Sequence, residues 1–314
     1  MRDISVCTWN GCHRGALSIS IDDSRLTCFF SLLRNSFKGS YFVVTPKINL
    51  KRAIRYFGLR ILNLLGHETG AHTVNHPSSD ISADEMRKEF QDNIAEISKR
   101  TGITGKSIIS MAWPYGYVQH KDIASEYFIC ARGYKMNELE DSTPGDFMNL
   151  KSFDLPSQPG AKLSNLKAIL DNAQEYAKWA ILVLHWHNNS AIINYAKNKD
   201  LWVEPIGNIV KYILLRNSTF IKDITETDAS IKALVYRNEV IIHKRNIEEL
   251  FSPGDRITLK VDASDIEKVY NLEVDGIKEN YSLKTLSGKK YMLFDIDTVK
   301  RRARSISIMF KREA

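Results

Sequence analysis

Five of the eight histidines fall in two short segments, GHETGAHTVNHP with His67, His72 and His76, and LVLHWH with His185 and His187. His13, His120 and His243 stand apart. Imidazole is the commonest metal-ligating side chain at neutral pH. The spacing of His72 and His76 puts two rings on one face of a helical turn, where both can reach one ion. Pro77 disfavours helix at His76, so a short turn at a strand end is expected instead. Two surface histidines are the plainer reading of such a pair. Asp22-Asp23 closes an apolar run. Neighbours on a strand point to opposite sides, but at a strand end the pleat relaxes and two carboxylates can converge on one site. One would join the histidines as a third protein ligand, leaving positions open for water and substrate. The other would take a proton from that water. A helix N-cap or a solvated turn is the plainer reading of an isolated Asp-Asp.

These residues need elements to hold them. Leu17, Ile19 and Ile21 alternate with Ser18 and Ser20, a period-two strand ending in the two acids. Tyr41 to Val44, Ile108 to Met111, Phe128 to Ala131 and Ile181 to Leu184 are further short apolar runs that read as strands. Helical patterns lie between them. Ser82 and Glu85 form a capping box before the stripe Met86, Phe90, Ile94 and Ile97, and Gly102 sits where a C-cap belongs. Ser164 can cap a second helix, and a third begins near Pro205. Strand and helix in alternation predict an α/β parallel sheet or barrel, with chemistry at the C-terminal strand ends. After about residue 218 strands follow one another without helices, separated by turn signals such as Asp275-Gly276 and Ser287-Gly288. The expected division is therefore a barrel over residues 1–216 and an antiparallel β-sandwich over 217–314.

With 314 residues, 43% of them hydrophobic and 26% charged, the chain can bury a sizeable core, which excludes a disordered protein or a mini-protein. No run approaches the ~18 apolar residues of a membrane span. The net charge of +7 would suit nucleic acid, an anionic membrane surface or an acidic glycan. Cys7, Cys12, Cys28 and Cys130 are too few and too unevenly spaced for a disulfide framework, and Cys7 and Cys12 lack the spacing of zinc and redox motifs. No apolar signal segment follows the N-terminus, so a cytoplasmic location is expected; a removed leader would leave the same sequence.

The motifs combine. SIDD after a strand, HTVNH, AWPYG at Ala112 to Gly116 and LVLH at Leu182 to His185 occur in the order of the motifs of polysaccharide deacetylases with the NodB homology domain, carbohydrate esterase family four. The chain resembles that family from Ser20 to His185, and LWVEPIGNIVKYILLR is similar to its last strand and helix. The resemblance implies a distorted (β/α) barrel with fewer than eight regular units and one divalent metal ion, commonly zinc. It implies Asp23, His72 and His76 as metal ligands, Asp22 as general base and His185 as general acid. The backbone N–H of Tyr115 would help hold the oxyanion. Trp113, Pro114 and Trp186 are the substrate-contact candidates. Ala112 stands where many members carry Arg, so the cation that would pair with the catalytic carboxylate is missing. Ser24 stands where Gly is common, and Asp154 is only a positional candidate for the family's fourth motif.

The implied function is metal-dependent removal of acetyl groups from N-acetylated sugars. A carbohydrate-binding protein on a disabled scaffold and an O-acetyl esterase are the alternatives. The implied partner is an acetylated sugar or glycan, free or on an anionic carrier, with no nucleic acid; the sandwich offers a surface for self-association.

Overall fold

The computed structural model describes residues 2–26, 28–45, 50–136, 138–154, 163–185, 190–252 and 254–313. After a short first strand, β1 (Ile4–Val6), the chain lays down parallel strands β2 (Gly15–Ile21), β3 (Ser40–Val43), β4 (Glu68–Ala71), β5 (Ser110–Ala112), β6 (Cys130–Met136), β7 (Leu150–Asp154) and β8 (Trp179–Leu184). Each pairs with the next from β3 to β8; β8 pairs with β2, and β2 pairs with β3, so seven strands close a barrel. The closing strand is shared. Its end, Ser20 and Ile21, pairs with β3, while its start, Gly15 to Leu17, pairs with β9 (Leu201–Val203). The expected barrel with fewer than eight regular units is borne out.

Helices α1 (Phe29–Arg34), α2 (Leu50–Leu64), α3 (Ala83–Thr101), α4 (Lys121–Tyr127), α5 (Leu163–Glu175) and α6 (Ser190–Ala196) carry the crossovers, and α7 (Ile206–Asn217) follows β9. α3 starts and stops where its sequence says. The Ser82 hydroxyl accepts from the Glu85 N–H, the Glu85 carboxylate accepts from the Ser82 N–H, and Gly102 ends the helix at φ 74°. Ser164 lies inside the first turn of α5 rather than at its cap. The alternation in β2 predicts one polar face, yet every residue of the strand is buried. A barrel strand faces the packed interior on one side and the helices on the other. Its serines are therefore satisfied internally, Ser18 donating to the Glu204 carbonyl and Ser20 to Asp22. At the opposite, N-terminal end of the strands, Glu68 ties the structure together. Its carboxylate accepts from the Ser40 and Ser110 hydroxyls and from the Gly207 N–H at the start of α7. A Cβ on Gly207 would lie 2.3 Å from Glu68 Oε1.

The remaining strands are antiparallel: β10 (Thr219–Glu226), β11 (Ser230–Arg237), β12 (Ile241–Ile242), β13 (Arg245–Asn246), β14 (Ile257–Asp262), β15 (Ile266–Val274), β16 (Ile277–Lys278), β17 (Ser282–Leu286), β18 (Lys289–Ile296) and β19 (Ala303–Arg312). They form a five-stranded sheet, β10-β11-β19-β15-β16, a four-stranded sheet, β1-β14-β18-β17, and the small β12-β13 pair. Both predicted hairpin turns are present, with Asp275-Gly276 and Ser287-Gly288 all at positive φ as such turns require.

The chain divides into two compact units, Arg14–Val210 and Met1–His13 with Lys211–Ala314. The first thirteen residues, expected with the barrel, thus belong to the second unit. The reason is β1, which pairs through Ile4, Ser5 and Val6 with Val261, Lys260 and Leu259 of β14. Cys7 and Cys12 form a disulfide, packed on Leu293. No helix among the described residues is long and apolar enough to cross a membrane.

Candidate active site

The acids, the histidines and the turn of the third motif all lie at C-terminal strand ends. β2 stops at Ile21, and the next residues turn sharply: Asp23 has φ 61° and Ser24 φ 56°. Two successive left-handed residues break the pleat, so both carboxylates turn toward one imidazole. Asp22 Oδ2 is 3.9 Å and Asp23 Oδ1 4.0 Å from His72 Nε2. The same φ explains why glycine is common where this chain has Ser24.

His72 and His76 follow β4 in a non-helical turn, as Pro77 led us to expect, with Thr73 and His76 at positive φ. His72 is buried, and its Nδ1 lies 2.8 Å from the carbonyl oxygen of Ala112. A carbonyl only accepts, so Nδ1 carries the proton and Nε2 presents a lone pair. Burial pushes the His72 imidazole well below its ordinary value, outweighing the pull of Asp22, and so keeps the ring neutral. His76 Nε2 is 3.1 Å from His72 Nε2 and 3.8 Å from Asp23 Oδ1. One atom each from Asp23, His72 and His76 lie within 4.8 Å of one another. Two imidazole nitrogens and one carboxylate oxygen fit a divalent ion such as zinc, and the fixed tautomer of His72 is the one a ligand needs.

Asp22 is the most buried acid of the group. Burial pushes its carboxyl up, but Arg132, then His72 and His185, more than offset this and hold it below its ordinary value. Arg132 is itself fully buried and donates from Nη2 to Asp22 Oδ2. This corrects the expectation from Ala112 that the partner cation is missing. Ala112 and Arg132 are register partners on β5 and β6, so the guanidinium reaches the carboxylate from the neighbouring strand. Sequence reasoning missed it. The available signal was an arginine directly after the apolar run Phe128 to Ala131, on a strand that leads toward the site.

His185 follows β8, in line with Leu184, which pairs with Ile21. Its Nε2 lies 3.6 Å from Asp22 Oδ2. The two side chains adjoin on neighbouring strand ends. Tyr115 occupies a short turn, Pro114–Gly116, at φ 53°, with its ring 4.5 Å from that of His76. Trp113 and Pro114, expected to meet substrate, are buried; Trp113 packs against Phe90 and donates from Nε1 to the Met148 carbonyl, out of reach of a sugar face. The aromatic ring exposed beside the histidines is that of Tyr115. Trp186 and His187 lie outside the described residues, as does the side chain of Asp154.

Two further residues support the histidine turn from α3. Asn93 Oδ1 accepts from the His72 N–H, and its amide donates to the carbonyls of Val43 and Thr73 and to the Thr45 hydroxyl. One turn earlier, Glu89 accepts from the N–H groups of Val74 and Asn75. Met86, Phe90, Asn93 and Ile97 are all buried on one face. The polar member of that stripe was the readable sign.

Residues 29–127 match the family model for polysaccharide deacetylase, which bears out the resemblance read from the motifs. It includes His72, His76 and Tyr115; Asp22, Asp23 and His185 lie outside it. No curated protein matches the chain. Among solved structures it is similar to a mutant of the peptidoglycan deacetylase PdaC from Bacillus subtilis, with TM-score 0.43, 17% identity and coverage of 63% of this chain and 91% of that one. It is also similar to a family-four acetyl xylan esterase of Clostridium thermocellum in complex with cobalt, with TM-score 0.44, 18% identity and coverage of 62% and 89%. A third is BA3943 of Bacillus anthracis, a pseudoenzyme of the same family, with TM-score 0.47, 14% identity and coverage of 62% and 65%.

Proposed function

We propose that this chain is a metal-dependent hydrolase that removes acetyl groups from N-acetylated sugars. The observation that carries the reading is the Asp22 carboxylate, buried and held ionised by Arg132 beside the donor set Asp23, His72 and His76. A divalent ion held there would supply Lewis acidity and lower the pKa of a bound water. Asp22 would take the proton of the attacking water, and Arg132 would fix its orientation. His185, half-buried at the edge of the cluster, would give a proton to the departing amine. Tyr115 would offer its backbone N–H to the developing oxyanion. The Cys7–Cys12 disulfide supports work in an oxidising compartment, where polymeric acetamido sugars are substrates worth testing.

The test is acetate release from free, nucleotide-linked and polymeric N-acetylhexosamines, with O-acetylated sugars alongside and the metal content measured. Asp22→Asn and His185→Ala should each slow the reaction by about 10²–10⁴-fold. Unchanged rates would remove the assigned roles. Metal-free protein that binds glycan without releasing acetate would favour a binding protein on this scaffold.

A further inference from the structure

Between Ser24 and His67 the sequence holds eight Lys and Arg residues and no Asp or Glu, so a surplus larger than the chain's net charge of +7 sits in one stretch. That stretch contains α1, β3 and α2. On α2 the large apolar residues Ile54, Phe57, Ile61 and Leu64 recur at helical spacing. Such a stripe normally faces the core, but here it faces solvent: Phe57 is 67% and Leu64 78% exposed. The barrel-facing side of the same helix is made by Tyr56, Leu59 and Leu62, all buried. α2 is therefore apolar on two faces, only one of which packs against the barrel. α1 adds Phe30, 79% exposed, and Leu33. The two helices are successive crossovers, and the ring of Phe29, at the start of α1, is 6.2 Å from that of His67, just past the end of α2.

Arg55 and Arg60 are exposed beside the stripe. Arg55 is also close enough to Arg25 for the two charges to repel, and Arg25 lies 3.7 Å from Asp23. The basic face thus runs to the rim of the candidate active site.

We propose that the α1–α2 face docks the barrel on an anionic lipid bilayer. A helix with an exposed apolar stripe and arginines at its edges is the pattern of segments that lie in the headgroup plane, where apolar burial and attraction to anionic lipids act together. A second copy is a poor occupant. A two-fold contact through this face would set the acid-free basic stretch of one copy against that of the other, and like charges across an interface oppose association.

Flotation of the whole 314-residue chain with lipid vesicles tests this. Binding is expected to vesicles containing phosphatidylglycerol and not to phosphatidylcholine alone, and to weaken as salt is raised. Phe57→Ser with Ile61→Ser, and separately Arg55→Gln with Arg60→Gln, should each lower the bound fraction about tenfold. Circular dichroism should stay unchanged, because the four side chains are exposed. Equal binding to both vesicle types, or no binding, would overturn the proposal. So would a concentration-dependent dimer abolished by Phe57→Ser, or an acidic protein captured through the same residues in place of lipid.

Discussion

Arg132 pairs with Asp22 from the strand beside the one where the third motif begins. The two are 110 residues apart in sequence, and both are buried. The carbonyl of Ala112 holds His72, and its register partner Arg132 supplies the cation. Two functions that a single third-motif segment could combine are thus divided between β5 and β6.

Arg132→Met should leave a buried carboxylate without its counter-ion, a change that costs about 3–5 kcal/mol when one partner of a buried pair is lost. Denaturant unfolding would measure it. Acetate release should fall by about a hundredfold or more if Asp22 is the base. Adding Ala112→Arg to that variant should return part of both losses, since the two positions adjoin in register.

Asn93 separates geometry from mere packing. Asn93→Asp keeps an acceptor for the His72 N–H but turns a carboxylate toward the Val43 and Thr73 carbonyls. We expect a loss of about 2–4 kcal/mol and weaker uptake of a divalent ion, read by titration of the purified protein. Asn93→Ala should destabilise too, by removing the bonds that Asn93 adds to the backbone pairings of His72 with Val43 and of Thr45 with Thr73. Wild-type ion affinity in the Asp variant would show that the His72 turn holds itself.

The pH dependence of folding should carry a mark from His67. Its Nδ1 accepts from the Gly39 N–H, and its buried Nε2 has no partner among the described residues. Burial, with Lys38 adding to it, pushes the imidazole from 6.5 down to about 4. Between those values the unfolded chain binds the extra proton and the folded one does not. Stability from this group is therefore full above pH 6.5 and is lost as the pH falls toward 4. The expected size is on the order of 3 kcal/mol. His67→Asn, which keeps an acceptor, should flatten this part of the stability curve; an unaltered slope would place the proton elsewhere.

The disulfide between Cys7 and Cys12 should appear in peptide mapping of protein kept under non-reducing conditions. Closing so short a loop is worth about 2 kcal/mol. Cys7→Ala with Cys12→Ala should lower the unfolding midpoint accordingly, and free thiols at both positions in native protein would contradict the bond.

The sequence alone determined whatever depends on near neighbours. The capping box and C-cap of α3, the Asp275-Gly276 turn, the alternation of β2 and the order of the motif residues are local, because a cap, a turn or a period is set within a few residues. The convergence of Asp22 and Asp23 was readable for the same reason: it needs only the end of a strand and a left-handed turn. The tertiary structure decided what depends on distant pairing. Periodicity does not say which strand lies beside β5, so Arg132 could not be assigned to Asp22 until the barrel closed. Nor could the polar member of the α3 stripe be matched to His72 before the helix packed, or β1 to β14 before the chain returned. Trp113 shows the same limit from the other side. Its position beside a catalytic motif suggested a sugar platform, and only the packing of Phe90 and the Met148 carbonyl around it makes it core.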